Sequence, residues 1–169
     1  MNPTESIFMI QRACTLAARC HQFQMRKDDI TPYVAHPMRV SFIICQLFNC
    51  QDPVVIAAGI LHDVIEDTTG DYDDIAEGVS VEVADLVACL TKDMRVREEE
   101  REILYDQQLL AGPWQARLIK LADVYDNLCD SRSTARPVKV RDKVERALKL
   151  VKDEPELQAA AGLLRVLLD

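Results

Sequence analysis

A chain of 169 residues suits one domain, residues 1–169, long enough to bury a sizeable core. Its 49% hydrophobic and 28% charged residues are ordinary for a soluble globular protein, and no apolar run reaches the ~20 residues of a membrane span. The net charge of −8 argues against non-specific nucleic-acid binding, while a pocket with local cations or a metal can still hold a small anionic ligand. No basic stretch precedes the first apolar segment, so no secretory signal is expected. Six cysteines (Cys14, Cys20, Cys45, Cys50, Cys89, Cys129) form no C-x-x-C pair. They are expected as buried thiols in a reducing, cytoplasmic setting.

Glycine is scarce and Ala, Leu, Val, Glu, Lys and Arg are plentiful, so the expected fold is all-α, with eight or nine helices. Apolar residues from Ile7 to Ala18 make a helical stripe over Ser6–Met25. A polar loop, Arg26–Tyr33, follows, and a second helix is expected from His36-Pro37 to about Phe48. Pro53 opens a third, apolar helix. After a turn at Gly70–Asp74 comes a short helix, then one that starts at Ser80 and ends near Leu90-Thr91. Met94–Leu110 reads as a solvated amphipathic helix. The last three helices are expected from Pro113 to about Ser131, from Pro137 onward, and, after Pro155, from Glu156 to Leu168.

The third helix runs into His62-Asp63-Val64-Ile65-Glu66-Asp67-Thr68. On a continuing helix, spacings of three and four let His62, Asp63, Glu66 and Asp67 lean toward one patch. Three acids there repel one another, and a divalent cation relieves that repulsion. The plainer alternative is a solvated acidic helix end with one capping histidine. A second polar stripe, Asp123, Asp126, Asn127 and Asp130, lies on one face of the helix after Pro113. Asp123 sits between apolar neighbours and is expected to be buried, whereas Asp126 and Asp130 suit a solvated face. His36, at a helix start, reads as structural when taken alone. His21 is expected near the surface or behind a site, not as a ligand.

Five segments in order resemble the hydrolase domain of the RelA/SpoT homologues, above all the small alarmone hydrolases of the HD-domain phosphohydrolases. They are His21 with Gln24–Lys27, Thr31–Pro37, Leu61–Thr68, Leu90–Lys92, and Lys120–Asp123 followed by Asn127. The resemblance implies the all-α HD fold and Mn²⁺ held by His36, His62, Asp63 and Asp123. It implies Glu66 and Asp67 as the catalytic pair, and Arg26, Lys27, Lys92 and Asn127 as nucleotide contacts. The implied reaction removes the 3′-diphosphate of guanosine 3′,5′-bis(diphosphate). With no synthetase region, the chain is expected to hydrolyse this nucleotide and not to make it.

Val124 and Asp126 differ from the family's usual pattern, and two further departures bear on the substrate. Asp28-Asp29-Ile30 stands where the family has a glycine-containing turn, and two acids there would repel a pyrophosphate. Cys129 stands where an arginine is usual. The alternatives are therefore an HD-type phosphohydrolase for another nucleotide or phosphate ester, and a non-catalytic binding module that keeps the fold.

Overall fold

The computed structural model describes residues 1–131 and 137–168. Among them the chain is all-α: ten α-helices, one π-helical turn and a single isolated bridge, Met25 with Pro32. Helix α1 (Pro3–Cys20) starts earlier than the apolar stripe predicts. The side chain of Asn2 accepts from the Glu5 N–H while Glu5 accepts from the Asn2 N–H, a capping box that adds a turn. Helix α2 (Ala35–Phe42) continues into the π-turn Ile43–Leu47.

At the centre lies α3 (Pro53–Leu61), where Val55 to Leu61 are all buried. It packs against α1, α2, α6 (Val81–Leu90) and α8 (Trp114–Ser131). A helix that is apolar all round belongs in the middle of a bundle. Gly59 lets the π-turn approach: a Cβ there would stand 2.6 Å from the Ile44 δ-methyl. Around this centre run α5 (Tyr72–Gly78), α7 (Glu98–Ala111), α9 (Pro137–Lys149) and α10 (Pro155–Leu168). Helix α7 begins at Glu98, not Met94, because Asp93 binds Arg95 in a local loop.

The acidic run does not continue α3. The helix ends at Leu61, the backbone turns at Asp63 (φ −101°, ψ −2°), and Val64–Asp67 form a separate short helix, α4. That break yields one more helix than expected and changes which acids share a face. The cysteines form no disulfide among the described residues; five are half-buried and Cys129 is exposed, so none is the fully buried thiol expected. Among the described residues no helix is long and apolar enough to cross a membrane.

Candidate active site

The break after α3, the start of α2 and the middle of α8 bring two imidazoles and two carboxylates together. His36 Nε2 lies 3.3 Å from Asp123 Oδ1 and 3.6 Å from Asp63 Oδ2. His62 Nε2 lies 3.1 Å from Asp63 Oδ2 and 3.9 Å from Asp123 Oδ1. Adjacent donors on an octahedral ion held at about 2.1 Å sit about 3 Å apart, so this spacing suits a divalent cation. The donor atoms of His36, His62 and Asp123 all fall within 4.8 Å of one another.

The outer contacts decide which ring nitrogen is available. His36 Nδ1 lies 2.7 Å from Asp126 Oδ2, and His62 Nδ1 lies 2.9 Å from the Gly59 carbonyl. Each acceptor receives a hydrogen bond from Nδ1–H and so leaves Nε2 as the inward-facing atom, a ligand once it has lost its own proton. His62 Nε2 is buried and has no hydrogen-bond partner among the described residues. A buried nitrogen with no well-aligned hydrogen bond, facing two carboxylate oxygens, fits a metal ligand.

Burial alone would lower the His36 pKa, but the carboxylates of Asp123, Asp126 and Asp63 outweigh it and push it up to about 9. Burial alone would raise Asp63 and Asp123. The two histidines, and for Asp123 also the Lys120 ammonium, hold both carboxyls well below the usual range instead.

These groups form one wall of a cavity of about 160 Å³. Glu66 stands beside them, its Oε2 accepting the Lys92 backbone N–H at 3.0 Å, and burial pushes its pKa up. Tyr33 donates to Asp63 Oδ2 at 2.7 Å and lies 3.1 Å from Asp67 Oδ2. Asp123 accepts from Lys120 Nζ at 2.8 Å and from Asn127 Nδ2 at 2.6 Å. The rest of the wall is cationic: Arg26, Lys92, Lys120 and Lys143. Tyr105 underlies two of them, with Lys92 Nζ and Lys120 Nζ at 5.1 and 5.6 Å from its ring centre. Such a cavity can hold a cation on one side and a polyanion on the other.

Residues 13–151 match the HD domain family, most of the chain. The chain belongs to the HD-domain family. A Drosophila melanogaster protein described as guanosine-3′,5′-bis(diphosphate) 3′-pyrophosphohydrolase MESH1 is 39% identical over 115 residues, 68% of this chain and 64% of that one. The Homo sapiens protein of the same description is 38% identical over 119 residues, 70% of this chain and 66% of that one. The match therefore spans a little under two thirds of either relative. A solved structure described as a metazoan ortholog of SpoT that hydrolyses ppGpp superposes with a TM-score of 0.81 at 28% identity. It covers 92% of this chain and 93% of that one.

In this HD-domain chain the expected residues fall into two groups. His36, His62, Asp63, Asp123, Glu66, Arg26, Lys92 and Asn127 line the cavity. Asp67 is exposed and off the wall, because the break at Asp63 turns α4 so that Asp67 faces Tyr33. Lys27 is exposed and also off the wall. Arg26 is tied down, donating to Asp130 at 2.7 Å and to Asn127 at 3.3 Å.

Asp126 corrects the solvated-face expectation: it is 3% exposed and holds both His36 and the Arg39 guanidinium. His21 is buried, its Nδ1 2.6 Å from Gln24 Oε1 and its ring against Tyr33. The acids of the variant loop do structural work. Asp28 accepts from the Ile30 and Thr31 N–H groups and the Thr31 hydroxyl, which lower its pKa to about 2. Asp29 takes the left-handed conformation (φ 57°) that glycine otherwise supplies. Sequence reading missed roles for Tyr33, Tyr105, Lys120 and Lys143. A lysine inside the apolar stretch Leu118–Val124 was itself a sign that Lys120 pairs with Asp123, three residues on.

Proposed function

We propose that this protein is a metal-dependent hydrolase that removes the 3′-diphosphate from guanosine 3′,5′-bis(diphosphate), releasing GDP and pyrophosphate, with Mn²⁺ as the cation. The pentaphosphate analogue would give GTP. The observation that carries the reading is one cavity with four convergent donor atoms on one side and four cationic side chains on the other. The fly and human relatives named for this activity support it.

His36, His62, Asp63 and Asp123 would hold a divalent ion, which when bound would supply positive charge near the phosphate and favour ionisation of water. Glu66, anchored by the Lys92 N–H, orients a water and takes its proton as the oxygen bonds to phosphorus. The bond from phosphorus to the 3′-oxygen breaks, and that oxygen takes up a proton. Asp67 acts through Tyr33, setting the hydroxyl that bonds Asp63. Lys120 and Asn127 keep Asp123 in place, and Arg26, stacked 5.6 Å over Tyr33, closes the loop side of the cavity.

Purified protein with Mn²⁺ should release pyrophosphate from the tetraphosphate. Asp63→Ala should abolish release, and Glu66→Gln should slow it by roughly 10²–10⁴-fold. A panel of other nucleotides and phosphate esters assayed beside it should be poorer substrates. No turnover with any divalent metal, or faster turnover of another nucleotide, would overturn the proposal.

A further inference from the structure

Four cationic side chains line the cavity, and three of them already have acidic partners. Arg26 pairs with Asp130 at 2.7 Å, Lys92 with Glu102 at 2.8 Å, and Lys120 with Asp123 at 2.8 Å. Among the described residues no carboxylate pairs with Lys143. Lost hydration at the wall lowers its pKa first, then Lys120, Lys92 and Lys27; the one acid that opposes them is Asp123, which is engaged elsewhere. An ammonium held among like charges is unfavourable until an anion arrives.

Its position is imposed by the helix that carries it. Three residues along α9, Arg146 bonds Asp106 Oδ2 at 2.7 Å and also Glu102, docking α9 on α7. Between them Val144 is fully buried and Ala147 follows at 3% exposure, so this stretch of the helix is packed and not free to swing. Lys120 sits next to the four-donor cluster, whereas Lys143 is exposed, at the rim.

We propose that Lys143 binds the 5′-diphosphate of the substrate, the end that is not cleaved, and so sets preference for nucleotides charged at both ends. This rests on the nucleotide reading above. The resemblance implies Lys27, on the loop, as a nucleotide contact; Lys143 offers a further cation from α9.

GDP, the expected product, carries that diphosphate and reads the site without turnover. In calorimetric titrations of the Mn²⁺-loaded protein, Lys143→Ala should weaken GDP binding by about tenfold, the loss of one partly exposed charge-assisted hydrogen bond. Lys143→Arg should restore it to within about threefold, since it keeps the charge. Guanosine, with no phosphate, should bind all three proteins alike. In turnover, Lys143→Ala should raise KM for the tetraphosphate by a similar factor and leave kcat within about twofold. Unchanged GDP affinity in Lys143→Ala, an equal loss for guanosine, or no GDP binding by the wild type would each overturn the proposal. A wild type that binds GDP through Lys143 but does not cleave the tetraphosphate would sink the activity and spare Lys143.

Discussion

Asp126 touches no part of the open cavity, yet it decides what His36 can do. Its carboxylate accepts the Nδ1 proton at 2.7 Å and is clamped in turn by Arg39 through two bonds of 2.6 and 2.9 Å. Asp126→Asn keeps the shape and removes the charge, and metal affinity should fall by about 10–100-fold while the fold survives. A Mn²⁺ titration followed by electron spin resonance would measure it, and unchanged affinity would show that Asp126 does not orient the ring. The same cluster sets a pH dependence. With no metal bound, His36 keeps its extra proton up to about pH 9, and that proton must leave before Nε2 can coordinate. Apparent metal affinity should therefore rise by at least about tenfold per pH unit from neutrality toward about pH 9, one factor for the His36 proton with His62, also raised, adding to the slope, the direction raised histidine pKa values demand. Titrations at several pH values would test this, and a flat profile would contradict it.

Helix breaks and helix docking decide more at this site than helix content does. Spacing alone places His62, Asp63, Glu66 and Asp67 together only if α3 continues; it stops at Leu61, and Asp67 swings out to Tyr33. A four-residue spacing is legible in a sequence, but whether the helix runs through it depends on what packs at its end. The α7–α9 contact was likewise illegible, since Arg146, Glu102 and Asp106 look like any charged surface residues. Arg146→Ala should remove charge-assisted bonds worth about 1.5–3 kcal/mol and lower Tm by about 3–10 °C in a chain of this size. Thermal unfolding monitored by circular dichroism would show it. A Tm unchanged within error would mean that the contact adds nothing to stability.

At the scale of the whole molecule, the donor cluster joins three parts of the chain: the start of α2, the α3–α4 break and α8. A cation there binds the folded state and has no comparable site in the unfolded one. Mn²⁺ at about 100 times its dissociation constant should then add about 2.7 kcal/mol and raise Tm by about 5–10 °C. Asp63→Ala should lose that increment, and a metal-independent Tm for the wild type would count against a resident cation.

The sequence by itself determined the helical class and, through the resemblance its ordered motifs carry, the family and a set of candidate ligands, because periodicity, proline placement and motif spacing are local or ordered properties of the chain. Only the tertiary structure decided that Asp126 is buried behind His36, that Asp67 and Lys27 leave the wall, and that Lys120 and Lys143 join it. Those outcomes depend on where a helix ends and which neighbour covers it, and that is settled by packing between segments distant in sequence.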